Sequence, residues 1–183
     1  MTSPLVLIVT GLPATGKTRL ARKFAEERGW PLLAKDTVKE WLFDYFGTGD
    51  RGWSSALSDA SFALLFAYAR ELVLGAYNFV LEGNFRAGLH EAPLRLGLQL
   101  ATPHAPRLVQ VLCRVDEVER RRRLDARAAD PSRHPGHADA LWRSAERDNS
   151  EFLDLPGEHL QHDSGDAVFD NVMERLDALQ NAR

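Results

Sequence analysis

Val6–Ala21, VLIVTGLPATGKTRLA, passes from an apolar run through a glycine-bounded loop into a helix-forming stretch. Strand, phosphate loop and helix follow in that order. Gly11-Leu12-Pro13-Ala14-Thr15-Gly16-Lys17-Thr18 has the spacing G-x-x-x-x-G-K-[ST]. Gly11 and Gly16 let the backbone turn tightly and approach an anion with no side chain between. Amide hydrogens of the loop and of the first helical turn, which includes Arg19, have no intrahelical acceptor. The helix dipole there favours negative charge. Lys17 adds a point charge, and the Thr18 hydroxyl stands where one ligand of a phosphate-bound magnesium is expected. Apolar Leu5 to Val9 before the loop, and Leu20, Ala21, Phe24 and Ala25 spaced among Arg19, Arg22, Lys23 and Glu26 after it, support this reading. A nucleoside triphosphate is the expected ligand.

With 183 residues, the chain has the length of one compact domain, 1–183, able to bury a core without disulfides. Charged residues make up 27% and the net charge is -3, so no positive footprint for a long nucleic acid or a membrane surface is expected. A phosphate-bearing substrate needs only a local basic site. Cys113, the one cysteine, lies in the apolar run LVQVLC and reads as a small buried hydrophobe. The N-terminus carries no basic leader, and no uninterrupted apolar span reaches membrane length, so a soluble cytoplasmic protein is expected.

Arg28-Gly29-Trp30-Pro31 marks a helix stop, and Leu32-Leu33-Ala34 suits a second strand ending at Lys35-Asp36-Thr37. Ligands of open α/β sheets gather beyond the carboxyl ends of strands, so Asp36 is expected near the phosphate loop, contacting an acceptor hydroxyl as base or orienting group. An N-cap on the helix VKEWLFDYF, made by Thr37 or Asp36 itself, would also account for an acid here. Gly47 to Gly52 reads as an exposed connection, and Trp41, Phe43, Tyr45 and Phe46 read mostly as packing residues. Ser58 is expected to cap a long helix reaching Ala76. Tyr77 to Leu81 forms a strand ending at Glu82, a carboxylate suited to magnesium-bound water or to the acceptor, with Asn84 and Arg86 as weaker candidates.

Gly88 to Leu100 reads as a modest helix interrupted by Pro93, and Arg107 to Arg114 as a central strand. The helix from Asp116 is densely charged, a pattern that usually marks a solvated face. Arg123 and Arg127 are four apart, so one helical face can aim both at a nucleotide, with Arg120 as the substitute in a shifted register. Ala129 to Ala138 has the proline and glycine content of a turn-rich lid, approximately 116–140 with the preceding helix. His134 and His137 lack further ligands for a zinc site. A helix over Leu141–Phe152, a short strand at His159–His162 and a helix through Leu179 complete the expected elements.

Gly11 to Thr18, Lys35-Asp36, Leu81 to Phe85 and the segment RLDARAADPSRHPGH, Arg123 to His137, together resemble the small P-loop kinase-like ATPases of the AAA_33, zeta-toxin-like and chloramphenicol-phosphotransferase-like group. The resemblance spans nearly the whole chain, and it departs at Ala14-Thr15, where many relatives read Gly-Ser. It implies an α/β P-loop NTPase fold, a three-layer sandwich on a five-stranded parallel sheet in order 2-3-1-4-5 with a helical lid. It further implies that Asp36 serves an acceptor hydroxyl while Arg123 and Arg127 close over phosphates. The expected activity is ATP- and magnesium-dependent transfer of a γ-phosphate to a hydroxyl of a small molecule or nucleotide-like substrate. Lys17, Asp36, Glu82, Arg123 and Arg127 would be catalytic, with Thr18 and Glu82 at the metal. A nucleotide-hydrolysing switch, and a kinase of polynucleotide 5′-hydroxyl ends, share the same phosphate site as alternatives.

Overall fold

The computed structural model describes residues 3–137, 151–163 and 169–181. Strands β1 (Leu5–Gly11), β2 (Leu32–Ala34), β3 (Phe79–Glu82), β4 (Arg107–Arg114) and β5 (Glu158–Asp163) form one sheet in the order β2-β3-β1-β4-β5. Every pairing is parallel. Between them run α1 (Lys17–Arg28), α2 (Lys35–Phe46), α3 (Arg51–Leu74), α4 (Glu91–Gly97), α5 (Glu117–Ala128) and α6 (Phe169–Asn181). The α/β P-loop fold, its strand order and a helical lid built on α5 match the expectation.

Parallel strands covered on both faces read as continuous apolar runs, and β1 is buried along its whole length. Successive side chains alternate between two cores. Val6 and Ile8 pack with Phe62, Leu65, Phe85 and Leu94 from the α3 and α4 side. Leu5, Leu7 and Val9 pack with Leu20, Phe24, Val172 and Leu176 from α1 and α6. Buried Gln110, an amide within the apolar β4, donates to the Leu153 carbonyl at 3.1 Å and accepts from the Leu153 amide at 3.0 Å, holding the approach to β5.

Several boundaries differ from the sequence reading. Helix α2 begins at Lys35, with Ala34 at the N-cap and no side-chain cap, so neither Asp36 nor Thr37 caps it. Asp36 instead lies in the first turn, where the helix dipole favours a carboxylate. Helix α3 starts seven residues before Ser58, because the Asp50 carboxylate accepts from the Trp53 amide and forms the cap. The connection between α2 and α3 is thus shorter than Gly47–Gly52. Pro93 falls in the first turn of α4, where its missing N–H costs nothing, so the helix is short rather than interrupted. Trp41, Tyr45 and Phe46 are exposed and only Phe43 of that group is buried, which overturns their reading as packing residues. The helix expected over Leu141–Phe152 lies almost wholly outside the described residues.

Candidate nucleotide and acceptor cleft

Register brings the site together. Ala34 pairs with Glu82, and Glu82 pairs with Val9, so the carboxyl ends of β2, β3 and β1 stand level. Adjacent strands are about 4.8 Å apart, which puts the start of α2 about 10 Å from the loop after β1. Lys17, Asp36 and Glu82 accordingly line one cleft, of about 1260 Å³. Pro13, Ala14, Gly16, Thr18 and Arg19 line its loop side, and Arg123 and Arg127 line it from α5. Gly11, Leu12 and Thr15 shape the loop from behind the lining.

Gly11 has φ 141° and pairs with Cys113 of β4, so an added Cβ would fall on the Cys113 carbonyl. Gly16, at φ 88°, occupies the N-cap of α1 with no side-chain acceptor for the first helical amides. Those donors are left for an anion. Thr15 Oγ1 and Lys17 Nζ both donate to the Leu12 carbonyl, each at 2.8 Å, and hold the loop curled. Ala14 has φ 68°, the left-handed conformation that a Cβ disfavours. This is the position at which the family resemblance leads one to expect glycine. Ala14→Gly trades strain relief against unfolded-chain entropy and is expected to leave stability within about 0.5 kcal/mol, whereas β-branched Ala14→Val lowers it by about 2 kcal/mol in urea titration.

Burial pushes the Glu82 carboxyl up and the Lys17 ammonium down, and each charge opposes the other's shift. Thr18 hydrogen-bonds Glu82. Glu82 Oε2 is buried with no hydrogen-bond partner among the described residues. An orphaned carboxylate oxygen beside a loop hydroxyl fits a hydrated magnesium, which binds by few protein ligands and keeps its waters. The same geometry gives Thr18 and Glu82 their candidate metal roles.

Asp36 Oδ1 accepts from Lys35 Nζ at 3.2 Å. Burial raises the Asp36 pKa, but the charges of Lys35, His137 and Lys17 outweigh it and hold the carboxyl at about 2. Asp36 is therefore ionised throughout the physiological range. Lys39, one turn further along α2, is 8% exposed, donates to Ser54 Oγ at 2.9 Å and lies over the Phe43 ring at 5.2 Å. Burial first, then the Lys35 charge, lowers its pKa from 10.5 to about 8 against the pull of Asp36 and Asp59. Between those values the unfolded chain binds more protons, so stability rises with pH across this window. Thermal melts from pH 8 to 10 should show a rise that Lys39→Met reduces.

The α5 arginines divide. Arg123 Nε donates to Glu119 Oε1 at 2.8 Å while lining the cleft, and Arg127 lines it beside Ala126. Arg120 is buried and held by Glu117 through bonds of 2.7 and 3.0 Å, and it does not line the cleft, so the substitute role is not supported. Arg122 borders the cleft as well, but its side chain is 71% exposed and held by Glu119, as the charge-run pattern led one to expect. His134 and His137 act as fasteners: His137 Nε2 lies 2.7 Å from Glu40 and His134 Nε2 3.1 Å from Asp44, joining the segment after α5 to α2. A Cβ on Gly136 would strike the Phe43 ring, so that contact is closely packed. Cys113 is buried, and burial raises its thiol to about 12. Asn84 and Arg86 line the cleft beyond Glu82. Also there, and missed in the sequence, are Lys39 and the polar start of α3; Arg51, Ser54, Ser55 and Ser58 recur at helical spacing, a signal hidden by placing the helix start too late.

Among the described residues no helix is long and apolar enough to cross a membrane. A search of curated proteins finds no match to the chain. Among solved structures, a candidate kinase from Chloroflexus aurantiacus is 30% identical, with a TM-score of 0.86 over 97% of this chain and 98% of that one. A sugar kinase from Janibacter has a TM-score of 0.62 at 14% identity, covering 100% of this chain and 96% of that one. The APS kinase of Mycobacterium tuberculosis has a TM-score of 0.57 at 19% identity, covering 98% and 99%. The latter two likenesses are of fold. The family model described as an AAA domain matches residues 6–147, so the chain, a P-loop kinase-like enzyme in architecture, belongs to the AAA_33 family.

Proposed function

We propose that the protein transfers the γ-phosphate of ATP, with magnesium, to a hydroxyl of a small molecule. The size of the cleft carries this reading. At about 1260 Å³ it exceeds the roughly 300–1,000 Å³ usual for a single small ligand. It also runs from the phosphate loop past Asp36 to a polar face of α3. A switch that only hydrolyses nucleotide needs no such second compartment.

The loop amides and Lys17 would hold the β- and γ-phosphates, and Thr18 and Glu82 would hold the metal and its water. When bound, magnesium supplies charge neutralisation on the phosphate oxygens. Asp36 accepts a hydrogen bond from the acceptor hydroxyl and aligns its oxygen with the γ-phosphorus. That oxygen forms the new P–O bond as the bond to the bridging β–γ oxygen breaks, ADP departs, and the hydroxyl proton passes to Asp36 or water. A carboxyl held at about 2 is a weak base, so alignment is its main contribution, in keeping with a loose transition state. Arg122, Arg123 and Arg127 balance charge on the transferring group from the lid, 116–140, over the single domain 1–183.

Incubation with γ-labelled ATP and a panel of hydroxyl compounds tests the reading. Label is expected on an acceptor; hydrolysis stimulated by a protein partner, with no labelled acceptor, would favour the switch. Label on oligonucleotide 5′ ends would favour the end kinase. For Glu82→Gln, magnesium should lose about tenfold of the gain it gives to binding of a non-hydrolysable ATP analogue, read by calorimetry with and without the metal.

A further inference from the structure

The acceptor half of the cleft carries more positive charge than its own carboxylates balance. Asp36 is engaged by Lys35, at 3.2 Å. Glu40 is engaged by His137 at 2.7 Å, with Arg133 at 3.7 Å. Lys39, Arg51 and Arg86 line the same region, and among the described residues none of the three has a carboxylate within ion-pair distance.

Exposed arginines can simply be solvated, but that does not explain Lys39. Lysine is almost never this buried without a partner. Its Nζ has a neutral hydroxyl, Ser54 Oγ, and an aromatic face, Phe43, in place of an anion. Helix α2 also sets Lys35 and Lys39 four apart on one face, both buried, a like-charge arrangement that works against folding. An anionic ligand bound there would offset that cost. ATP does not account for it: Lys17, Arg19, Arg22 and the α5 arginines already stand on the loop and lid side, whereas Lys39, Arg51 and Arg86 come from α2, α3 and the segment after β3. Ser54, Ser55 and Ser58 supply a stripe of hydroxyls on the face that α3 turns to the cleft.

We infer that the acceptor is itself an anion, a small hydroxyl compound whose phosphate or carboxylate group is seated by Lys39, Arg51 and Arg86 while its hydroxyl meets Asp36. This rests on the phosphotransferase reading for the hydroxyl, but the oxyanion seat is testable without turnover.

With the donor half saturated by a non-hydrolysable ATP analogue, inorganic phosphate is titrated into the full chain in a calorimeter. Saturable binding is expected, weakened at least about tenfold by Lys39→Met and by Arg86→Gln, the loss of one charge-assisted hydrogen bond. No saturable binding, or binding by both variants as tight as the wild type's, overturns the seat. Lys39→Met should also raise the melting temperature of the ligand-free protein; a fall would mark Lys39 as structural and count against the proposal. A labelled-ATP assay then compares hydroxyl compounds in matched neutral, phosphate and carboxylate forms. Transfer confined to phosphate or to carboxylate forms supports the seat and names its anion. Equal transfer to neutral forms overturns the seat and leaves phosphotransfer standing. Phosphate binding with no transfer to any compound supports the seat and rejects the transfer reaction.

Discussion

Asp36→Asn is expected to lower acceptor-dependent phosphoryl transfer by about 10²–10⁴-fold, without a comparable loss of affinity for a non-hydrolysable ATP analogue. The substitution keeps shape and one acceptor oxygen but removes the charge that holds Lys35 at 3.2 Å and that attracts Lys17 and His137. The acceptor hydroxyl then meets a neutral amide, a weaker acceptor on its one oxygen and a donor on the other side, and the in-line geometry is loosened. Single-turnover transfer beside equilibrium nucleotide binding separates the two effects. Transfer at the wild-type rate would remove Asp36 from the reaction. Because the carboxyl is held at about 2, the wild-type rate should show no acid limb from Asp36 above about pH 4.

Lys17→Ala should cost more broadly. Loss of a charge-assisted bond to phosphate weakens nucleotide binding by about 10–150-fold, and turnover falls at least as far. The variant also strips Glu82 of the cation that most opposes its upward shift, so its carboxyl rises further and protonates at higher pH. Magnesium-dependent binding should therefore become more strongly pH-dependent in Lys17→Ala than in the wild type, with affinity falling as pH is lowered. Calorimetry across pH measures this. Wild-type nucleotide affinity in Lys17→Ala would refute the assignment of the phosphate loop.

The resemblance to one family and its phosphate loop were legible because they rest on short-range constraints. Gly11 and Gly16 sit at φ 141° and 88°, conformations that a side chain disfavours, so the loop is written into eight adjacent residues. The strands were legible for a related reason: burial on both faces leaves apolar runs such as Leu5–Val9 and Leu108–Cys113. Ala14 was legible as a departure from the family resemblance, and its φ of 68° is a conformation that glycine adopts more readily.

Helix ends were less legible. A cap is a hydrogen bond whose candidates occur every few residues, and Asp50 reaches the Trp53 amide where Ser58 had equal chemical standing in the sequence. Shifting that start by seven residues restored Arg51, Ser54 and Ser55 to a helix facing the cleft. Helix phase decided the arginines as well, leaving Arg122 exposed at the cleft's border and burying Arg120 against Glu117. By itself, then, the sequence determined the phosphate loop and the strands feeding it, since each depends on local conformation or periodicity, and it singled out Asp36, Glu82, Arg123 and Arg127 as candidates. Only the tertiary structure decided the depth and charge of the acceptor half. Lys39 becomes a buried cation with a hydroxyl and a ring but, among the described residues, no carboxylate within ion-pair distance, through the meeting of α2, α3 and the chain after β3, and no local pattern records how much water or countercharge such a meeting leaves.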